Sequence, residues 1–298
     1  MNKKKVLIIG SSGLIGSVLV PFLQRHGFEV GRLLRRAQDK HPYWHIENKS
    51  LHLKEFSSPN IIINLAGENI ASGRWTKKKK QRLIDSRILS TRLLVEYFKS
   101  QSPAPELFIN ASAIGFYGDR GDQQMHENSS PGIDFVSQLS ELWEQSSQDI
   151  KTAGTRLVNL RTGLVISKQG GALAKMLPAF KLGLGGRIGS GKQIMSWIDI
   201  NDFLKAVLFI INNPQINGPV NMVSPNPVSN QNFSRLLAEQ LQRPCLLPLP
   251  ESAVKLLFAE MGKELLLAST NVFPKKLIDA GFEFEYEKLQ KSLLKQLG

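Results

Sequence analysis

The sequence predicts an α/β fold, with a doubly wound parallel sheet and a smaller, mainly helical C-terminal domain. Three observations indicate this fold class. Short apolar segments alternate with longer amphipathic ones in the first half of the chain, a glycine-rich turn follows the first apolar segment, and helical periodicity dominates from about residue 232. Strands that alternate with helices form a mostly parallel sheet with right-handed crossovers, because each helix packs back onto the sheet.

The predicted strands are short segments rich in Val, Ile and Leu, a composition and length typical of buried strands. They lie at 5–9, 28–34, 61–65, 107–111 and 155–160.

The predicted helices have apolar residues at helical spacing. They cover 13–26, 82–98 and 133–151, and in the second half 232–242, 251–269, 274–280 and 286–297. Thr76 can cap a helix that starts with the four lysines at 77–80, which we expect to form an exposed first turn.

The glycine-rich turn GSSGLIG lies between the first predicted strand and the first predicted helix. Gly10, Gly13 and Gly16 stand where a dinucleotide-binding fold needs a tight turn, close backbone approach to the pyrophosphate and close helix packing. The start of the helix adds oriented N–H groups. The turn therefore predicts a Rossmann-like, dinucleotide-binding domain.

The end of the second predicted strand favours NADP(H) over NAD(H). An NAD site usually has an acidic residue there to bind the ribose, whereas this chain has Arg35 and Arg36. Arginine can bind a 2′-phosphate through two parallel hydrogen bonds. The alternative is a pair of solvated arginines. Arg87 lies on the apolar face of its helix, where a charge generally has a partner, and a bound phosphate or ribose would supply one. The alternative is a surface arginine whose charged end reaches solvent.

The sequence changes character near residue 168, after which a glycine-rich segment, GLGGRIGSG, occupies 183–191. We expect an NADP-binding domain over 1–168, with returning segments from about 195–224. Residues 169–298 then form the substrate side and the helical C-terminal region.

Composition limits the function classes. Of the 298 residues, 42% are hydrophobic and 21% charged, and no window approaches the ~18–20 apolar residues of a membrane span. The lone Cys245 cannot form an internal disulfide, which favours a cytoplasmic setting. The net charge of +13 suits a phosphorylated ligand or a solvated basic surface, and no nucleic-acid motif accompanies it. We expect no membrane and no nucleic-acid partner.

Further motifs follow the glycine turn in a characteristic order. They are NLAGENIASGRW (64–75), SR (86–87), SAIGFYGD (112–119), RTGLVIS (161–167), KMLPAFKLGLGGRIGSGKQ (175–193), WIDINDF (197–203) and GPVNMVSPNPVSN (218–230). The chain resembles the atypical extended short-chain dehydrogenase/reductase family described as NAD-dependent or nucleotide-sugar epimerases, some of whose members are described as cell-division-inhibitor-like. The resemblance covers nearly the whole chain, including the helical C-terminal domain.

The resemblance implies NADP(H) binding and, together with the turn and the two arginines, defines a set of candidate cofactor contacts. These are Gly10, Gly13, Leu14, Ile15, Gly16, Arg35, Arg36, Leu65, Ala66, Gly67, Arg87 and Leu164.

The acid–base pair typical of this superfamily is missing from the sequence. Such enzymes use a tyrosine, whose pKa of about 10 is lowered by a lysine four residues later. On the helix predicted at 133–151, Phe135 and Leu139 fall closest to those two positions. The residues four positions after the tyrosines of this chain are Glu47, Gln101, Gly121 and Gln290.

Ser112 and Tyr117 are the candidate catalytic residues. Ser112 matches the catalytic serine position of extended members, whereas Tyr117 matches the family's YG dipeptide and not its catalytic tyrosine. The alternative is that Tyr117 and Glu127 only shape a loop. We expect no metal site, because His126 lacks a second histidine at ligand spacing.

Four other charged residues have expected roles. Asp199 and Asp202 are expected to hold the C-terminal domain in place. Arg187 and Lys192 would contact an anionic substrate, or would be solvated.

Two functions therefore remain open. One is an NADP(H)-dependent epimerase or oxidoreductase, acting on an unknown small molecule, that uses a non-standard proton donor. The other is a cofactor-bound regulatory or scaffold protein without turnover. The sequence leaves the oligomeric state open.

Overall fold

The structure, a computed structural model, describes residues 3–35, 41–54 and 56–298. The strands in these residues are β1 (Lys5–Ile9), β2 (Glu29–Leu33), β3 (Tyr43–His45), β4 (Ser50–His52), β5 (Ile61–Asn64), β6 (Leu107–Ala113), β7 (Arg156–Thr162), β8 (Leu164–Ile166), β9 (Ile194–Met195), β10 (Trp197–Asp199), β11 (Gly218–Met222) and β12 (Val228–Ser229).

Of the nine α-helices in the described residues, the first, sixth, eighth and ninth begin and end within three residues of the predicted positions. The α-helices of the described residues are α1 (Leu14–Arg25), α2 (Lys77–Lys99), α3 (Phe135–Gln145), α4 (Gly171–Lys181), α5 (Ile200–Asn212), α6 (Asn230–Gln240), α7 (Glu251–Gly262), α8 (Lys275–Asp279) and α9 (Leu289–Leu297). None of the helices in the described part of the chain combines the length and the apolar content of a membrane span.

Six strands form one parallel sheet, in the order β11-β7-β6-β5-β1-β2. The five predicted strands all belong to this sheet, which confirms the Rossmann-like fold class. The order reverses at β1, because the chain adds β2 on one side of it and then β5 on the other. In open α/β sheets, ligands bind at the carboxyl ends of the strands at such a reversal.

Both faces of the sheet are buried, as a doubly wound fold requires. In β1, Val6 and Ile8 pack with α1 and α5, whereas Leu7 and Ile9 pack with α2. The alternation follows from the pleat, which points successive side chains to opposite faces.

Three predicted helices differ from the observed ones. The helix predicted over 251–269 is too long, since α7 ends at Gly262 and a π-helical segment, Lys263–Leu267, follows. The helix predicted over 82–98 begins earlier, at Lys77, where the Thr76 side chain accepts the N–H of Lys79 at 3.2 Å as the predicted cap. The prediction over 133–151 is wrong in extent, since α3 ends at Gln145 and a separate 3-10 segment follows. The hydroxyls of Ser146 and Ser147 bond back to carbonyls of the last turn, which competes with further helix.

Several elements, two full helices among them, were not predicted. These are the β3–β4 hairpin, the parallel β8–β10 pair, the antiparallel β9–β12 pair and helices α4 and α5. Strands of two or three residues are too short to show a period of two. β11 comes from the segment expected to return, and it pairs with β7.

Two buried aspartates attach the C-terminal region to the sheet domain. Asp202 accepts the backbone N–H of Glu285 at 3.0 Å and that of Tyr286 at 2.8 Å. Asp199 accepts two hydrogen bonds from side chains of α9. Both carboxylates are fully buried. The expectation that these residues hold the C-terminal region is confirmed.

We predict that Asp202→Ala lowers the free energy of unfolding by about 2 to 4 kcal/mol, because it leaves two backbone N–H groups unpaired. Urea denaturation followed by circular dichroism measures the loss. The matched control is Asp279→Ala, which removes an exposed carboxylate that pairs with Lys275 on the same helix and is expected to change stability by less than about 0.5 kcal/mol. Equal effects of the two substitutions would contradict the anchoring role.

Candidate functional site

The glycine turn joins β1 to α1 at the reversal of strand order. Gly10 has a φ of 77°, and a Cβ on it would lie 2.7 Å from the carbonyl oxygen of Leu65. A Cβ on Gly16 would lie 2.4 Å from the carbonyl oxygen of Gly10. The N–H of Gly13 donates to that same oxygen at 3.1 Å and closes the turn. Glycine at positions 10 and 16 is therefore required by close backbone contacts.

A cavity of ≈ 470 Å³ opens beside this turn, where β1 and β2 end. In dinucleotide-binding folds, the end of the second strand binds the adenosine ribose. The residues that line the cavity are Gly10, Ser11, Ser12, Arg32, Leu33, Leu34, Arg35, His41, Trp44 and Ala66.

Two arginines line this cavity. Arg35, which was predicted, is exposed, whereas Arg36 lies outside the described residues. Arg32, which was not predicted, is half-buried and donates from Nε to the Ser11 hydroxyl at 3.2 Å. None of the ion pairs between described residues includes Arg32 or Arg35. The cavity is thus cationic on the side of β2.

Trp44 lines the same wall. Its side chain is 2% exposed, and its indole N–H, itself buried, has no hydrogen-bond partner among the described residues. The ring packs with the apolar cluster on the α2 side of the sheet. Together, the tight turn and the arginines fit the adenosine end of a dinucleotide.

Of the predicted cofactor contacts in the described residues, Gly10, Arg35 and Ala66 line the cavity. The others do not, namely Gly13, Leu14, Ile15, Gly16, Leu65, Gly67, Arg87 and Leu164. Leu14 and Ile15 form the half-buried start of α1, and Leu164 lies on β8 beside Trp197 of β10. Of the segment after β5, Ala66 lines the cavity.

Arg87 is buried next to Gly67. Its two terminal nitrogens donate to the carbonyls of Leu83 and Glu68, both at 3.0 Å. Its guanidinium carbon lies 4.9 Å from the centroid of the Trp143 ring, and a Cβ on Gly67 would lie 3.3 Å from that carbon. Burial lowers the pKa of Arg87 to about 10, so it stays charged at neutral pH. In the structure, this inward charge has backbone carbonyls and an aromatic ring as partners, whereas the prediction named a bound phosphate or ribose. Cofactor contact stays a prediction.

The lysine run at 77–80 is not simply an exposed turn, and that expectation was wrong for Lys79. This side chain is 5% exposed, and its ammonium contacts Glu68 at 2.6 Å and the Ser72 hydroxyl at 2.8 Å. Lys79 therefore connects the loop after β5, which contains Glu68 and Ser72, to the start of α2. Sequence spacing could not reveal this, because the loop folds back over the helix.

Ser112 and Tyr117 meet in a buried polar network. The Ser112 hydroxyl donates to Glu144 at 2.7 Å, and Arg161 binds the same carboxylate through two nitrogens at 2.8 and 2.9 Å. Arg161 also donates to the Tyr117 hydroxyl at 3.0 Å, and that hydroxyl donates to the Asn221 amide oxygen at 2.6 Å. The network connects β6, α3, β7 and β11.

Burial determines what Tyr117 can do in this network. Its side chain is fully buried, and burial raises its pKa to about 12, against the opposing influence of Arg161. At neutral pH the phenol is therefore protonated, and its proton is held by Asn221. Ser112 is 4% exposed. Glu127 accepts the N–H groups of Asn221 and Lys276 and so shapes the adjoining loop. Catalysis by Ser112 and Tyr117 stays a prediction.

The sequence reasoning missed Arg161 and Glu144 as a pair. Each carried a signal, since Arg161 lies within an apolar strand and Glu144 follows a buried tryptophan on an amphipathic helix. A charge on an inward-facing position needs a partner. Which residue supplies it depends on the register of β7 against α3, which the sequence does not show.

Phe135 and Leu139 lie in the first half of α3, and their match to the positions of the acid–base pair stays a prediction. Leu139 is 2% exposed. The Phe135 ring meets the Trp75 ring edge to face at 5.2 Å, and the Lys80 ammonium lies 4.6 Å from its centroid. The positions are thus filled by apolar packing.

Two further expectations concern ligands. No group of three or more potential metal-ligating side chains occurs in 3–35, 41–54 or 56–298. Arg187 and Lys192 are exposed on the glycine-rich segment, so contact with an anionic substrate stays a prediction.

The parallel sheet, the glycine turn and the cavity at the reversal of strand order define a Rossmann-like dinucleotide-binding fold. Residues 6–223 match the model of the NAD dependent epimerase/dehydratase family, and residues 249–295 match a domain of unknown function, DUF1731. The chain belongs to the NAD dependent epimerase/dehydratase family, as its motifs indicated.

The similarity to known proteins covers nearly the whole chain. An epimerase family protein of Mycobacterium bovis is 39% identical over 98% of this chain and 97% of its own, and one of Staphylococcus aureus is 36% identical over 97% and 98%. The crystal structure of human epimerase family protein SDR39U1 (isoform2) with NADPH is similar at a TM-score of 0.90 and 29% identity, covering 98% of each chain. Thermus thermophilus UDP-glucose 4-epimerase in complex with NAD shares the fold, at a TM-score of 0.77 and 18% identity over 98% and 97% of the two chains.

We predict that Tyr117→Phe lowers the free energy of unfolding by about 1 to 3 kcal/mol, because it removes a hydroxyl that pairs two buried groups. Denaturant titration measures the loss. Tyr97→Phe, which removes the same atom from a half-buried tyrosine outside the network, is the control and should change stability much less. An unchanged stability of Tyr117→Phe would show that the network does not depend on this hydroxyl.

Proposed function

We propose that the protein is an NADP(H)-binding, short-chain dehydrogenase-like epimerase or oxidoreductase that acts on a carbonyl or sugar compound. The observation that carries the proposal is the arginine-lined cavity beside the glycine turn. It lies where this fold binds adenosine, and the described residues that line it include no Asp or Glu. An acidic side chain there would bind the free ribose hydroxyls of NAD(H).

The similarity to the human relative supports the choice of cofactor. Its crystal structure was determined with NADPH, and the similarity covers nearly the full length of this chain. The relatives solved with NAD are below 25% identical and bear on the fold alone.

The cofactor would supply a hydride donor or acceptor, and the protein would bind and orient it. The residues proposed to hold it are those of the glycine turn (Gly10, Gly13, Leu14, Ile15, Gly16), the strand-end arginines Arg35 and Arg36, and Leu65, Ala66, Gly67, Arg87 and Leu164 beyond them. Ser112 and Tyr117 remain the proposed proton-handling residues. Because both hydroxyls are buried and hydrogen-bonded, proton exchange with a substrate would require the network to open.

A second function is favoured by that same burial. A protein that binds NADP(H) without turnover could act as a regulator or scaffold, stabilised by its cofactor through binding linkage. Tyr117 with a pKa of about 12 is a poor base, and α3 has no tyrosine–lysine pair. Both functions would use the same residues to bind the cofactor.

We predict that the protein binds NADPH more tightly than NADH. Arg35→Asp should weaken NADPH binding roughly tenfold or more, because a contact with the 2′-phosphate becomes a repulsion, and should change NADH binding little. Trp44 lines the cavity, so intrinsic fluorescence can report both titrations.

The control for this change is Arg25→Asp, an equal change of charge at the far end of α1, which should leave both affinities unchanged. A wild-type preference for NADH, or equal affinities, would contradict the proposed cofactor.

We predict slow or absent turnover on ordinary nucleotide sugars despite NADPH binding. General acid–base catalysis contributes about 10²- to 10⁴-fold, so its loss can hide activity in a routine assay. A screen of carbonyl compounds and nucleotide sugars, read by NADPH absorbance and by product analysis, measures it.

The variants Tyr117→Phe and Ser112→Ala decide between the two functions. Residual activity that falls in both variants supports the proton-handling role. Brisk turnover that survives both substitutions would refute it, and no turnover on any substrate with NADPH still bound would favour the regulator.

A further inference from the structure

Arg32 lies on β2 at the level of Ile8 in the neighbouring strand β1. The residues on either side of it, Gly31 and Leu33, are buried on one face of the sheet, where a Cβ on Gly31 would meet the ring of Phe56 at 2.6 Å. Successive side chains of a strand alternate, so Arg32 projects from the other face. There it lines the cavity, half-buried.

The Arg32 side chain is held in place from the glycine turn. Its Nε donates to the hydroxyl of Ser11, which is 3% exposed. This hydrogen bond uses the inner nitrogen of the guanidinium, and no described carboxylate lies within ion-pair distance. An arginine oriented through Nε can present its terminal nitrogens to a phosphate as a planar fork.

We propose that Arg32, oriented by Ser11, is the main anchor of the 2′-phosphate that distinguishes NADP(H) from NAD(H), and that Arg35 makes the weaker contact. This inference rests on the proposed function, since it concerns the cofactor proposed there. It assigns the selectivity to a residue within β2, three positions before the strand-end arginine that the sequence pattern indicates.

Burial and orientation explain why Arg32 should be the stronger of the two. Arg35 is exposed, so water and salt screen its charge, and binding must first immobilise its side chain. Arg32 is half-buried and already held by Ser11, so less screening and less lost side-chain freedom oppose its contact.

The alternative role for Arg32 is to stiffen the glycine turn without touching the ligand. In that case its removal would weaken NADPH and NADH by the same factor, because both cofactors use the turn. The ratio of the two affinities therefore separates the two roles.

The experiment measures dissociation constants of NADPH and NADH, by fluorescence and by calorimetry, for the wild-type protein, Arg32→Gln, Arg35→Gln and Ser11→Ala. Adenosine 2′,5′-bisphosphate and adenosine 5′-monophosphate serve as probes of the adenosine end alone. Arg25→Gln removes the same charge from an exposed site on the last turn of α1 and is the matched control.

We expect Arg32→Gln to lower the preference for NADPH over NADH roughly tenfold or more, the effect of losing a charge-assisted hydrogen bond. Arg35→Gln should lower it roughly threefold, and with more salt dependence, because that charge is exposed. Ser11→Ala should lower it by a similar small factor, since Arg32 keeps its charge but loses its orientation. The bisphosphate should lose affinity in Arg32→Gln, while the monophosphate should not.

Two results would overturn the inference while leaving the proposed function intact: an unchanged preference in Arg32→Gln, or an effect of Arg35→Gln larger than that of Arg32→Gln. A wild-type protein without preference for NADPH would instead overturn the proposed cofactor itself. Circular dichroism of each variant establishes that the fold is retained, and the monophosphate affinity provides the same check at the site.

Discussion

The contact between the backbone of Gly10 and the carbonyl of Leu65 fixes the geometry of the cofactor half of this protein. It occurs where β1 and β5 end side by side, at the place where the order of the sheet reverses. Because a Cβ at residue 10 would lie 2.7 Å from that carbonyl, any other residue would push the turn away from β5. The turn in turn supplies Ser11, which orients Arg32. One backbone approach thus determines both the shape and the charge of the cavity.

A second constraint is electrostatic, and it concerns the buried network around Ser112 and Tyr117. Arg161 and Glu144 form a bidentate ion pair with side-chain exposures of 4% and 10%. Removing one partner of such a pair leaves a buried charge, so both must stay in place. Glu144 accepts the Ser112 hydroxyl, and Arg161 donates to the Tyr117 hydroxyl, so the pair holds both side chains in the interior. The serine and tyrosine that the motifs indicated are therefore part of a buried hydrogen-bond network, and catalysis by them stays a prediction.

The sequence predicted the parallel sheet well, because its strands are fully buried and their apolar composition is a local property. It also predicted the glycine turn, because only glycine tolerates the close backbone contacts that this turn makes. It did not predict Arg32 or the partner of Arg161, since both depend on which face of a strand meets which loop. The sequence pattern does not single out position 32, and the folded arrangement of β1 and β2 places it beside Ser11. Most of the fold could thus be predicted from the sequence, but only part of the candidate site.

The cofactor cavity and helix α3 differ in how far they depart from those of an enzyme that uses the tyrosine–lysine pair. The cofactor half keeps its turn and its cationic cavity. On α3, by contrast, Leu139 is 2% exposed, so an unpaired lysine ammonium at that position would carry a large desolvation cost. Lys80 lies over the Phe135 ring, but it pairs with Glu260. Regaining the ordinary pair would therefore require repacking α3 as well as changing two residues. The choice between enzyme and regulator accordingly depends on whether the buried network can open, and not on cofactor binding.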